Sequence, residues 1–329
     1  MADERNAGGF DASGMNPVAG PLADGFGYRL AEHVERRQSQ IVLGLDPDPA
    51  LLWPHALLEV QGRDSGAPPA VRAARAVLAH CRLVMEAVAP ECVAVKPQVA
   101  CFERLGAPGW EVLGEVIEFA RGLGLLVIAD AKRGDIDLSA RAYGQAFVGD
   151  TATPFGTVPG LGADALTVNP WLGTDAMQPI VDIARERGRG VFVLVRNSNP
   201  GADELQERQL DDGTVSDAVA RMVFRLGAQV EGALTDVGAV VGATAPERLA
   251  GLRELMPRTP FLLPGVGAQG GRVQDLAPAF GANPASGLIA VSRGLVYAHR
   301  MTGGDPAEAA RREAARLREQ ASALTSRSR

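Results

Sequence analysis

Along the chain, short and nearly unbroken apolar runs alternate with stretches whose apolar residues recur every three or four positions. The runs are IVLGLD (41–46), CVAVK (92–96), LLVIAD (125–130), DALTVN (164–169), GVFVLVR (190–196), VGAVVGAT (237–244), TPFLLP (259–264) and GLIAVS (287–292). Runs of this kind suit strands covered on both faces, as in a parallel sheet. Helical spacing is found at 71–88, 110–121, 139–149, 175–187, 215–231, 246–255 and 272–280. A further helix over 305–320 begins Asp305-Pro306, a cap followed by proline in the first turn. Its Ala310, Ala314, Leu317, Ala321 and Leu324 form one apolar stripe, suited to packing on a barrel wall.

Eight strands, each followed by a helix, predict a single-domain α/β protein, a (β/α)8 TIM barrel. A doubly wound sheet is the competitor, but Asp46-Pro47-Asp48-Pro49 stands where a dinucleotide-binding sheet has its glycine-rich turn. Residues 1–24, rich in Gly, Ala and Asp and without periodicity, are expected to form a flexible N-terminal arm. The barrel is expected over 25–304, and a C-terminal helix and tail over 305–329. Two long connections, 47–70 and 197–214, are candidates for functional loops or lids.

Composition narrows the function classes. A net charge of −6 argues against a nucleic-acid partner, yet leaves room for a small anionic substrate held by local cations. No apolar run approaches the ~20 residues of a membrane span. The start MADERNAGGFDASGMNP lacks the basic and apolar stretches of a secretion signal. Cys81, Cys92 and Cys101 are odd in number and read as reduced packing residues, so a cytoplasmic location is expected. His33, His55, His80 and His299 are scattered and form no ligand pair, so neither a histidine-based metal site nor a Ser-His-Asp triad is expected.

The basic residues are unevenly divided: of 33, only Lys96 and Lys132 are lysine. Arginine holds its proton, whereas a lysine ammonium can give one up. Both lysines fall at ends of apolar runs, in company with acids. Asp46 ends the first run, Lys96 the second, and Asp130, Lys132 and Asp135 follow the third in ADAKRGDI. Barrel enzymes build their sites at these C-terminal strand ends. Strand alternation puts Asp130 and Lys132 on one side, with Asp135 beyond in the turn. One Asp-x-Lys alone reads as a solvated turn with a weak ion pair. Five charges at three strand ends read as a network that keeps a lysine charged, directed and ready to deliver a proton.

A second cluster, PGVGAQGGR (264–272), follows the seventh run and is expected to open a helix. Its Gly265, Gly267 and Gly270 let backbone N–H groups approach an anion, with the helix N-terminus adding to the field. Arg293 follows the eighth run in AVSRGL. The loops after strands seven and eight are the usual phosphate site of such barrels, and a guanidinium grips phosphate with two donors. The residues thus point to a phosphorylated small molecule whose reacting atom lies near Lys132.

In GLDPDP, AVKPQ, DAKRGDI, TVNPWLG, VRNSNPG, PGVGAQGG and SRG, in this order over about residues 28–300, the sequence resembles the orotidine 5′-phosphate decarboxylases in their longer bacterial form. The resemblance implies a cofactor-free carboxy-lyase acting on orotidine 5′-monophosphate to give UMP in pyrimidine synthesis. It implies that Lys132 protonates C6, that Asp130 lies beside the substrate carboxylate, and that Lys96 and Asp46 contact the ribose. It further implies a homodimer in which Asp135 reaches the neighbouring site, with Ile136 and Ser139 among the substrate contacts. Ser198 corresponds to the serine that hydrogen-bonds the pyrimidine, Gln269 to the glutamine bridging base and phosphate, and Arg293 to the phosphate arginine. One departure stands out: the family usually continues DAKRGDI with Gly-Ser-Thr, where this chain has Asp137-Leu138-Ser139.

Three rivals share parts of this equipment. A Mg²⁺-dependent sugar-phosphate decarboxylase or aldolase has the same Asp-x-Lys-x-x-Asp layout, but needs carboxylates not neutralised by lysine. A Schiff-base aldolase would use Lys132 as nucleophile. A non-catalytic phosphate-binding regulator would keep the glycine loop and Arg293 without needing five charges at three strand ends.

Overall fold

In the computed structural model, which describes residues 25–61 and 66–326, eight parallel strands close into a barrel. They are β1 Ile41–Leu45, β2 Ala94–Pro97, β3 Leu126–Arg133, β4 Ala165–Val168, β5 Gly190–Arg196, β6 Val237–Val241, β7 Phe261–Pro264 and β8 Gly287–Val291. Each pairs with its neighbour in sequence, and β8 returns to β1 through Ile41↔Ile289. All eight expected runs are strands, and the arrangement is the expected (β/α)8 barrel. The expected N-terminal arm, 1–24, lies outside the described residues.

Alternation along the strands sorts the core into two layers. Leu43, Val95, Val127, Leu166, Val193, Ala239, Leu263 and Ile289 face outward to the helices in the main cluster. Val42, Ala94, Leu126, Ile128, Ala165, Phe192, Leu262 and Leu288 fill the barrel itself. Helices Pro69–Val88, Ala107–Gly122, Asp137–Val148, Thr174–Glu186 and Val215–Gly227 cover the wall. Helix Pro306–Ser326 buries Ala310, Ala314, Leu317 and Ala321 as its spacing predicts, against helix Pro69–Val88.

The structure departs from expectation in four places. Residues 272–280 do not form an α-helix; Val273–Ala279 is a 3-10 segment, with Pro278 removing a donor inside it. Helix Phe26–Arg37 was not expected, although Phe26, Leu30 and Val34 recur every four residues and are buried. It plugs the N-terminal end of the barrel, with Phe26 edge-on to Phe192 at 5.9 Å. Arg29 pairs with buried Asp164, and Arg37 donates to the carbonyls of Ala89, Cys92, Leu123 and Gly124. The connection 47–70 contains helix Pro54–Val60, and an exposed hairpin, Asp150–Thr153 with Gly156–Pro159, follows helix Asp137–Val148.

The long connection 197–214 is folded onto the barrel. Arg196, buried at the end of β5, pairs with Asp203 at 2.5 Å and Glu207 at 2.7 Å. Arg248 then ties Glu207 to Asp217 at the start of the following helix.

Candidate active site

The site is the uppermost inward-facing layer of the barrel. Two residues beyond Ala94, Ile128 and Ala165, the next inward positions are Lys96, Asp130 and Thr167, all buried. Asp130 is at the centre, and each of its oxygens accepts one ammonium and one neutral donor. Oδ2 takes Lys96 Nζ at 2.5 Å and Gln98 Nε2 at 3.2 Å. Oδ1 takes Lys132 Nζ at 2.6 Å and the Thr167 hydroxyl at 3.0 Å. Gln98 and Thr167 are site residues that sequence reasoning missed. For Thr167 the available signal was a polar side chain at an inward position of an otherwise apolar run; Gln98 lies just beyond β2 and meets Asp130 through an isolated bridge.

Electrostatics keep this cluster ionised. Burial by itself would raise the Asp130 carboxyl, but the charges of Lys96 and then Lys132, with their hydrogen bonds, outweigh it and hold it well below the usual carboxylate range. Burial would likewise lower Lys96; Asp130, and next Asp46, overcome that and hold it above the ordinary lysine value. Asp46 itself is exposed just past β1. A buried cluster with paired charges and satisfied lone pairs avoids the penalty of an uncompensated ion.

Asp130 and Lys132 do meet, but not through simple strand alternation. Ala129 pairs with Leu166 and Arg133 with Val168, so Asp130, Ala131 and Lys132 together stand opposite Thr167. This is an enlarged β-bulge, a device that re-aims side chains near active sites. Within it Lys132 has φ +51°, in the left-handed region that costs an ordinary residue about 1–2 kcal/mol. Beyond the bulge Arg133 pairs with Glu103 and lies over the rings of Tyr143 and Phe147, 5.5 and 5.6 Å from their centroids. The bulge is therefore anchored on its outer side, and the half-exposed ammonium of Lys132 faces the opening.

Asp135 is not brought into this network. Its Oδ1 accepts the N–H of Ile136 at 2.8 Å, and Ile136 and Ser139 are exposed beside it. Asp137 has φ +44°, at the position where the resembled family carries glycine.

The second cluster assembles from β5 to β8. Gly265, Gly267 and Gly270 have φ of +106°, +77° and +93°, which side chains rarely adopt. The loop closes on itself through Gly267 N–H to the Gly271 carbonyl, Gly270 N–H to that of Gly267, and Gly271 N–H to that of Gly265. A Cβ added at Gly265 would lie 2.9 Å from Gln269 Oε1 and 3.2 Å from Ser198 Cβ, so base-side and phosphate-side candidates converge there. The Thr244 hydroxyl donates to the Ser198 carbonyl at 3.2 Å. Exposed Arg293 opens the short helix Arg293–Val296 next to this loop, because β7 and β8 pair at Pro264↔Ala290. The expected α-helix N-terminus behind the loop is missing, since the 3-10 segment begins only at Val273. The groups left to meet an anion there are the loop backbone, Gln269 and Arg293 rather than an α-helix N-terminus.

Comparison with known proteins follows the same lines. Residues 39–312 match the family described as Orotidine 5′-phosphate decarboxylase / HUMPS family. The chain is 44% identical over 235 residues to an orotidine 5′-phosphate decarboxylase of Rhodopirellula baltica, covering 69% of this chain and 75% of that one. It is 46% identical over 230 residues to that of Deinococcus radiodurans, covering 69% and 79%. Among solved structures, OMP decarboxylase of Leishmania donovani superposes with a TM-score of 0.68 at 31% identity, over 91% of this chain and 98% of that one. UMP synthase of the same organism gives a TM-score of 0.71 at 32% identity; 92% of this chain is covered, but only 56% of the synthase. A family match that runs from before β1 into the C-terminal helix, with relatives of this identity, means that the chain belongs to the orotidine 5′-phosphate decarboxylase / HUMPS family.

Proposed function

We propose that this protein converts orotidine 5′-monophosphate to UMP and carbon dioxide in pyrimidine synthesis, with Lys132 delivering the proton to C6. The observation that carries the reading is Asp130, buried and ionised between the only two lysines of the chain. When the C6–carboxylate bond breaks, carbon dioxide leaves and the electron pair stays on C6 in the ring plane, where the ring π system cannot absorb it. A preorganised ammonium beside that carbon stabilises the developing charge in a site shielded from water. The same ammonium then transfers its proton to C6, which completes UMP, and Lys132 regains a proton from solvent. Arginine would supply the field but is a poor acid.

The other site residues take their roles from this reading. Asp130 faces the departing carboxylate, and Lys96 with Asp46 holds the ribose. Ser198 bonds the base, Gln269 spans base and phosphate, and Arg293 with the Gly265–Gly270 loop grips the phosphate. Binding energy from that remote phosphate favours closure around the transition state.

The rivals fit less well. Asp130 already accepts four hydrogen bonds, so it offers no free lone pair to Mg²⁺. Lys132, ion-paired with Asp130 Oδ1, is poorly placed to act as the amine nucleophile of a Schiff base. A regulator would have no use for the buried charges.

We further propose a homodimer whose Asp135, Ile136 and Ser139 serve the neighbouring site. Support comes from exposed Ile136, Leu138, Trp171 and Leu172, large apolar side chains on the turn and helix start after β3 and the turn after β4. None of the described helices is long and apolar enough to cross a membrane, and the reading is that of a cytoplasmic enzyme.

The test is the loss of absorbance of orotidine 5′-monophosphate with purified protein, with and without EDTA. Turnover is expected in both, and dependence on added Mg²⁺ would shift the reading to the metal-dependent rival. Lys132→Ala is expected to lower turnover by about 10³-fold or more, with UMP binding changed only a few-fold. Near-normal turnover in that variant would sink the mechanism.

A further inference from the structure

We infer that Thr167 is a positioning residue for the reaction, setting both the backbone of Lys132 and the carboxylate of Asp130. The inference rests on the reading of Lys132 as proton donor.

The β-bulge creates a problem that Thr167 solves. A bulge takes backbone groups out of the ladder, and a buried N–H without a partner is costly. Three residues of β3, Asp130 to Lys132, stand opposite Thr167 alone. The N–H of Lys132 donates to Thr167 Oγ1 at 2.9 Å, and the Thr167 hydroxyl donates to Asp130 Oδ1 at 3.0 Å. One hydroxyl thus accepts from the left-handed residue that carries the ammonium and donates to the carboxylate that orients it. The side chain is buried, and β4 fixes it through the pair Thr167↔Phe192 with β5. Its direction is therefore set by the barrel before any ligand arrives.

The consequence is specific to the charge that develops at C6. Without the hydroxyl, the Lys132 backbone loses its acceptor and Asp130 Oδ1 keeps only the Lys132 ammonium. Asp130 stays tied to Lys96 and Gln98 through Oδ2, but its Oδ1 side and the Lys132 backbone lose their fixed direction, so the ammonium is held less firmly where the carbanion forms. Contacts to ribose and phosphate come from other strands and stay in place. Loss of Thr167 therefore affects kcat and not KM, and affects binding of an anionic ring more than binding of UMP.

Thr167→Val keeps the volume and removes the hydroxyl; Thr167→Ser keeps the hydroxyl. In Thr167→Val, kcat is expected to fall at least about 30-fold while the UMP dissociation constant stays within about twofold. Affinity for a UMP analogue carrying an anionic oxygen at C6 should fall in step with kcat. Thr167→Ser should stay within about threefold on all three measures, because a positioned hydroxyl is retained. If valine does not fold at this position, Thr167→Ala is judged by the same criteria, with UMP binding reporting an intact site. Near-normal kcat without the hydroxyl overturns the inference. So does equal weakening of UMP and the anionic analogue, which is the mark of a merely structural residue. Lys132→Ala separates the two failures. If it retains turnover, the proton-donor reading falls and takes this inference with it. If it collapses while Thr167→Val does not, only the inference about Thr167 falls.

Discussion

Asp137 occupies a left-handed conformation, φ +44°, directly after the turn that carries Asp135. Such a conformation favours glycine, and aspartate tolerates it better than most residues. It is also the first residue of helix Asp137–Val148, where a negative charge gains from the helix dipole. These effects offset one another, so Asp137→Gly is expected to change the free energy of unfolding by less than about 0.5 kcal/mol. Asp137→Val, β-branched in a left-handed position, is expected to cost at least about 1–2 kcal/mol. Urea denaturation of the two variants checks both, and equal stability would remove the conformational argument. The sequence shows the departure from Gly-Ser-Thr but not the dihedral that makes it tolerable. The same division holds for Lys132. Its place at a strand end is visible in DAKRGDI, whereas its left-handed backbone follows from the register of β3 against β4, which no local pattern encodes. Gln98 and Thr167 were hidden for a related reason: their importance comes from facing Asp130 across strands.

At the scale of elements, the connection between β1 and helix Pro69–Val88 hangs on one aromatic. The Trp53 N–H donates to His80 Nδ1 at 3.0 Å, and its indole N–H donates to the Val296 carbonyl at 2.9 Å. Burial lowers the pKa of His80 to about 4, so the ring is neutral and accepts this bond. Between the ordinary value of about 6.5 and about 4, the unfolded chain binds a proton that the folded chain does not. Stability therefore falls as pH drops through that window. Its share from His80 between pH 6.5 and 5 is about 1.5 kcal/mol. Denaturation midpoints across that range should show the slope in the wild type. His80→Leu should flatten it while lowering stability throughout, because the Trp53 N–H loses its acceptor. An unchanged slope would rule out His80 as its source. Neither this latch nor the Asp150–Pro159 hairpin was legible in the chain. The first joins distant residues, and the hairpin residues are largely exposed and carry no apolar run. The barrel strands were legible because burial on both faces demands continuous apolar runs. Helix Phe26–Arg37 was legible too, in Phe26, Leu30 and Val34, and Pro278 was a local warning against a regular α-helix at 272–280.

For the whole molecule, the proposed dimer makes a distinctive expectation. If Asp135 serves the neighbouring site, Lys132→Ala and Asp135→Ala proteins are each nearly inactive alone. Mixing them should restore up to about a quarter of wild-type activity, since half the reassorted dimers carry one intact site. Activity measured after mixing checks this, and no recovery despite subunit exchange would place Asp135 in its own chain's site. The plug helix bears on traffic through that site. With Phe26, Leu30 and Val34 filling the lower end of the barrel, the candidate site opens, among the described residues, on the side where the glycine loop and Arg293 stand. In the proposed reading, substrate, nucleotide product and gas all pass on this side. Carbon dioxide released in the proposed reaction would leave past the nucleotide or wait behind it. A change at the rim that slows nucleotide departure can thus set the pace of turnover while every group around Asp130 stays as it was.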